Sequence, residues 1–169
     1  EGQFGQDTFA TNKQSIVAVG TRGMIASSHD GGFNWANQTL AGSLKEVDLS
    51  GVFVFDDGSA IAVGGDCNGL YATGPCGIFR RPSGTQAVND QAWVKMPVSI
   101  DGAVGLDLKG LTAVTFCNVT NGYVVGERGA VLRSTNGGLN WGVVASGTVK
   151  NLLSVECAAG LSVLISGQQ

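Results

Sequence analysis

Two arginines stand in the same local sequence, Arg22 in Val-Gly-Thr-Arg-Gly and Arg128 in Val-Gly-Glu-Arg-Gly. A guanidinium offers several N–H donors in a rigid planar fork and pairs bidentately with carboxylate or phosphate. Carried on equivalent turns, two such forks would give one face of the protein a repeated anion-recognising element. The competing reading is that each arginine solvates its own turn or pairs with a local acid such as Glu127. Asp66 and Glu127 both follow a second-strand glycine, in Val63-Gly64-Gly65-Asp66 and Val125-Gly126-Glu127, at or near the arginine turn. They are the carboxylates least unlike a glycosidase pair, which needs facing acids about 5–10 Å apart; nothing in their spacing singles them out. The single His29 cannot build a Ser-His-Asp or Cys-His arrangement with any identified partner. No zinc-ligand spacing is present. No catalytic residue, metal or cofactor is therefore assigned.

These residues sit in a chain of 169 residues, 43% hydrophobic and 14% charged, with a formal charge of −3. That composition supports a packed core and argues against disorder. No Lys or Arg run is present, which disfavours nucleic acid and anionic membranes as partners. No apolar stretch reaches the ~18 residues of a membrane-spanning helix. The 27 glycines are about twice the usual share. With 3 prolines and no collagen-like period, they imply many tight turns and so many short strands. A chain that opens at Glu1 without Met is expected to be processed, truncated or part of something longer.

The arginine turns belong to a repeat. Val17–Trp35 (VAVGTRGMIASSHDGGFNW) and Tyr123–Trp141 (YVVGERGAVLRSTNGGLNW) align without a gap and share nine of nineteen positions. Around them lie runs such as SIVAVG, GVFVF, SAIAVG, LTAVTF, AVLRS, LLSVE and LSVLISG, short, β-branched or aromatic, and bounded by Gly, Asn or Asp. Four antiparallel strands in about forty residues make one propeller blade. The expected fold is thus all-β, a β-propeller segment of four-stranded antiparallel blades. Blade one is placed at 1–46, blade two at 47–110 with insertions, blade three at 111–151 and the start of a fourth at 152–169. All three tryptophans, Trp35, Trp93 and Trp141, then fall at one position, the start of the fourth strand. About three and a half blades would leave open faces, since closed rings typically hold four to eight. Another chain, a second copy or further sequence is expected to complete the ring.

Ser28-His29-Asp30-Gly31-Gly32-Phe33-Asn34-Trp35 and Ser134-Thr135-Asn136-Gly137-Gly138-Leu139-Asn140-Trp141 fit the Asp-box pattern Ser/Thr-x-Asp-x-Gly-x-x-Trp, with Asn136 in place of Asp in the second. This is turn chemistry. The hydroxyl of Ser28 or Ser134 and the side chain of Asp30 or Asn136 can cap backbone N–H groups. Gly32 and Gly138 permit positive φ. The indole of Trp35 or Trp141 folds back over the turn with its N–H free for an acceptor. Asp30 is accordingly read as structural and not as a catalytic acid, and His29 as an exposed turn residue.

On these residues the chain resembles the Asp-box, or BNR-like, β-propellers. The Val-Gly-x-Arg-Gly turn followed by the box looks most like the photosystem II stability/assembly-factor type. The resemblance implies that the box is structural, and that an arginine-lined patch contacts a protein partner. Arg22 and Arg128 are the positions that match, while the second blade has Cys76 where the arginine would stand. Sialidases share the box, yet only Tyr71 and Tyr123 could supply a tyrosine nucleophile, and Tyr123 reads as core packing.

Of the four cysteines, Cys67 and Cys76 flank a Gly-rich loop that a disulfide would close, with Tyr71 at its tip as a candidate contact residue. Cys117 and Cys157 form a second candidate pair between successive first strands, provided the Cα atoms lie within about 7 Å. Disulfides point to an oxidising location, extracellular or in a lumen such as the thylakoid or periplasm. Asn37 and Asn118 head two sequons. The functional expectation is a non-catalytic module that binds a protein partner; part of a carbohydrate-active propeller and a structural subunit of an extracellular assembly are the alternatives.

Overall fold

The computed structural model describes residues 7–11, 15–39, 47–65, 77–83, 93–99, 110–158 and 162–168. They form successive antiparallel sheets. The first runs β1 (Asp7–Thr11), β2 (Ser15–Val19), β3 (Met24–Ser28) and β4 (Ala36–Thr39), paired in that order. The second holds β5 (Leu49–Val54), β6 (Ala60–Gly64), β7 (Gly77–Arg81) and β8 (Val94–Lys95). The short β9 (Val98–Ser99) leaves this sheet and pairs in parallel with the outer strand of the next one, Trp141 opposite Val98. That third sheet contains β10 (Leu111–Phe116), β11 (Gly122–Gly126), β12 (Val131–Ser134) and β13 (Trp141–Val143). The last is a two-stranded sheet of β14 (Leu152–Ala158) and β15 (Ser162–Gly167). This is the architecture of a partial β-propeller.

Strand alternation places one apolar row on each face of the inner sheets, and each row packs on a neighbour. Val17, Val19 and Ile25 of the first sheet meet Leu49, Val52, Val54 and Phe79 of the second. Ile61, Val63 and Ile78, on the second sheet's other face, meet Leu111, Val114, Phe116 and Trp141 of the third. Val125 and Val131 then meet Leu152 and Val155 of the fourth. The first strands β1, β5, β10 and β14 run beside one another across these interfaces.

A β-bulge recurs at the second residue of the first strand, between Leu49 and Gly51, Leu111 and Ala113, and Leu152 and Ser154. The residue pushed out is Ser50, Thr112 or Leu153, and in two sheets its hydroxyl stitches neighbours together. Ser50 Oγ donates to the Leu111 carbonyl, and Thr112 Oγ1 donates to the Leu152 carbonyl at 2.7 Å. Bulges re-aim single side chains in this way. Leu153 has no hydroxyl and is exposed.

The glycine that ends the second strand has a steric cause. A Cβ at Gly64 would collide with Asp48 and Leu49, one at Gly126 would lie 2.7 Å from the Gly110 carbonyl, and one at Gly167 would lie 2.5 Å from that of Asn151. The first strand of each sheet enters at this spot, and only a residue without a side chain lets it pass.

The disulfide Cys117–Cys157 joins the third and fourth sheets, with a Cα–Cα distance of 5.1 Å that lies within bridging range. Cys67, Cys76, Tyr71 and Asp66 lie outside the described residues.

Candidate functional site

Arg22 and Arg128 both lie in the turn between the second and third strands of their sheets, and both side chains are exposed. Both take the left-handed backbone conformation, φ 54° and 55°, the two non-glycine residues with positive φ among those described. For an L-residue this costs about 1–2 kcal/mol. A carboxyl or carboxamide oxygen from the following sheet holds each turn. Asp48 Oδ1 accepts from the Arg22 N–H at 2.9 Å, and Asn151 Oδ1 accepts from the Arg128 N–H at 3.0 Å. Both partners stand immediately before a first strand. The sequence reading missed them, although aligning Asp48-Leu49 with Asn151-Leu152 exposes the match.

The equivalent residue before β10 is Gly110, whose φ of 46° and lack of side chain make room for Glu127. Glu127 is half-buried, and its N–H donates to the Gly110 carbonyl at 3.0 Å. It opens the 3₁₀ turn Glu127–Gly129. The arginine face is therefore built at the junctions of first with second and third with fourth sheets. The two arginines belong to sheets one and three, and the second sheet stands between those sheets.

The box turns lie at the other end of the strands. In the first, Ser28 Oγ donates to Asp30 Oδ1 (2.8 Å) and accepts from the Gly32 N–H (2.8 Å). Asp30 accepts from the Asn34 N–H (2.9 Å) and Asn34 Nδ2 (2.6 Å), and Trp35 Nε1 donates to the Gly32 carbonyl (2.9 Å). The Asn34 backbone N–H above all, then its amide and the Ser28 hydroxyl, hold the Asp30 carboxyl down at about 2. The third-sheet turn repeats the pattern. Ser134 Oγ donates to Asn136 Oδ1 (3.0 Å), Gly138 N–H donates to Ser134 Oγ (2.9 Å), Asn140 N–H donates to Asn136 Oδ1 (3.0 Å) and Trp141 Nε1 donates to the Gly138 carbonyl (3.0 Å).

Trp93 stands at the same place before a fourth strand but is held differently. Its ring is buried, the Arg81 guanidinium lies 5.5 Å from its centroid, and its Nε1 is unpartnered. Arg81 donates to the Gly58 carbonyl at 3.0 Å. A buried arginine with a cation–π contact thus closes the sheet that lacks the box.

His29 is exposed. Tyr123 is half-buried beside the third–fourth core, with Arg133 6.0 Å from its ring. Asn37 is exposed on β4. Asn118 Oδ1 accepts from the N–H groups of Thr120 and Asn121 in a tight turn. Asp57 joins Asp30 in being displaced downward, here by the Ser59 hydroxyl and N–H. A general acid needs the opposite displacement. Among the described residues no cluster of His, Cys, Asp and Glu suits a metal ion, and no helix is long and apolar enough to cross a membrane.

No protein-family profile matches this sequence. No curated protein matches it either. Solved structures do share its fold. A structure of YCF48 bound to D1 peptide superposes with a TM-score of 0.68 at 15% identity, covering 93% of this chain and 44% of that one. YCF48 from Cyanidioschyzon merolae gives 0.64 at 20% identity, with 95% and 48% covered. An ancestral GH74 enzyme gives 0.53 at 22% identity, with 83% and 18% covered. The chain spans about half the length of the YCF48 structures it matches. At these identities the likeness concerns the fold, and it is the fold the box and the Val-Gly-x-Arg-Gly turns pointed to: a partial β-propeller similar to YCF48.

Proposed function

We propose that this chain is a non-catalytic, protein-binding propeller module, and that its arginine-turn face engages a carboxylate-bearing segment of a protein partner. The observation that carries this reading is the backbone of Arg22 and Arg128. Two equivalent positions keep arginine where glycine would be relaxed, and each turn is clamped by Asp48 or Asn151. Strain retained twice with the same exposed side chain is a mark of a functional surface. The YCF48 likeness supports it, since one of those structures holds a bound peptide. Two arginine forks fit carboxylates better than hydroxyls. The downward displacement of Asp30 and Asp57 speaks against acid catalysis at either residue.

The test is binding of a fluorescent octaglutamate peptide, with octaglutamine as control, to the wild type and to an R22G/R128G double variant. The variant is expected to melt no lower than wild type and to bind the acidic peptide at least about tenfold more weakly. Equal binding by the variant sinks the reading. Within the same proposal, another chain, a second copy or further sequence completes the ring, and the protein works in an oxidising compartment where Cys117–Cys157 persists. Native mass spectrometry of this chain checks the first point: a compact monomer with no self-association argues against completion by a second copy.

A further inference from the structure

A cleft of about 460 Å³ opens between the second and third sheets, at the strand ends opposite the arginine turns. Its size falls in the range of about 300–1,000 Å³ usual for ligand clefts. Three elements line it: the β5–β6 turn with Phe55 and Asp57, Arg80 of β7, and the facing third-sheet turns with Thr120, Asn136 and Gly137.

The polar groups are unusual in what they leave open. The Arg80 side chain makes no described hydrogen bond, and its Nε is buried without a partner. Such an orphaned donor calls for an acceptor. Asp57 spends Oδ1 on the Ser59 N–H (2.8 Å) and hydroxyl (2.6 Å), leaving Oδ2 as an acceptor. Asn136 spends Oδ1 on Ser134 and Asn140. In the first-sheet box the second oxygen of Asp30 takes the Asn34 amide, whereas Asn136 has an NH₂ there, a donor with no described partner. The Asp-to-Asn exchange thus converts a self-satisfied turn into one with a spare donor, in the copy that lines the cleft.

Charge selects among ligands. Arg80 and Asp57 line the same cleft and attract each other electrostatically, with Asp56 exposed at the rim. An anion would meet the carboxylates and a cation would meet Arg80. A neutral ligand that both donates and accepts, with an apolar face for the half-buried Phe55, avoids both costs. We propose that this cleft binds a neutral saccharide unit, its hydroxyls bridging Asp57, Arg80 and Asn136. The site is independent of the arginine-turn face.

The experiment is amide chemical-shift mapping of the full chain titrated with maltotriose, cellotriose and chitotriose into the millimolar range. At least one is expected to shift the Thr120 and Gly137 amides saturably. R80Q should weaken it at least about tenfold, N136D should weaken it while keeping the turn, and R128Q should leave it unchanged. The proposal is overturned if no oligosaccharide moves those amides, if R80Q binds like wild type, or if a neutral Gly-Ser peptide saturates the same amides instead. Loss of binding in R128Q would also overturn it, because it would place the saccharide on the arginine face.

Discussion

The first-sheet turn Ser28–Trp35 and the third-sheet turn Ser134–Trp141 share all their described hydrogen bonds but the one from the Asn34 amide to Asp30, yet they live in different surroundings. Trp35 is 46% exposed and Trp141 is 1% exposed. The cause is not local. Trp141 packs edge-on to Phe116 at 5.7 Å within a core whose other half, Ile61, Val63 and Ile78, comes from the second sheet. No described sheet precedes the first one, so among the described residues no neighbouring sheet covers Trp35. Shared turn chemistry therefore contributes local order in both places, but burial energy only where a neighbouring sheet exists.

The largest expected difference is at the indoles. W141A should cost about 3–5 kcal/mol, as for a fully buried aromatic. W35A should cost about 1 kcal/mol. Denaturant unfolding of both variants measures the gap. Equal losses would break the comparison, because they would mean that Trp35 is covered in solution, as a neighbouring blade would cover it. Next comes the crosslink, which the third sheet has and the first lacks among the described residues. C117S should cost about 2–4 kcal/mol for a bridge spanning 40 residues. Hydrogen exchange should show protection falling first in β14 and β15 and staying unchanged in β2 and β3.

A smaller contrast lies at the glycines. Gly32 and Gly138 both have positive φ, 93° and 81°. A Cβ at Gly138 would also press on Ile61 Cδ1 at 2.8 Å, whereas one at Gly32 meets Ile16 Cδ1 at an ordinary 3.5 Å. G138A should cost about 1–3 kcal/mol more than G32A in thermal melts. The smallest effect is one of pH. Asp30 titrates at about 2 in the folded chain against 3.8 ordinarily. A depressed folded value stabilises above the unfolded one, so the contribution is complete above 3.8 and fades as pH falls towards about 2. D30N should flatten that acid limb, making the first turn behave like its Asn136 counterpart. An unchanged limb would show that the Asn34 and Ser28 bonds to Asp30 do not persist in solution.

The strands and turns were legible because their determinants are local. Val-Gly ahead of a tight turn, alternating β-branched residues, and Ser, Asp or Asn, Gly and Trp at fixed offsets act within a few residues of one another. Even so, the fourth strand that opens at Trp141 is only three residues long, Trp141–Val143, and it is held between β12 on one side and β9 on the other. Nothing in Val98–Ser99 announces a strand; it pairs because the chain leaving the second sheet passes Trp141. Arg80 and Asp57 escaped notice for a similar reason. They are ordinary charged residues until the third sheet closes the cleft over them.

The sequence by itself determined that this chain is built from repeated antiparallel hairpins with box turns, since the Ser, Asp or Asn, Gly and Trp side-chain bonds of each box join residues no more than four apart. Only the tertiary structure decided what each copy is for. It buried one tryptophan and left another half-exposed, and it brought Cys117 to Cys157. It also clamped both arginine turns with side chains from the following sheet. Those outcomes depend on which sheet packs against which, through long-range contacts that residue types and spacing along the chain do not encode.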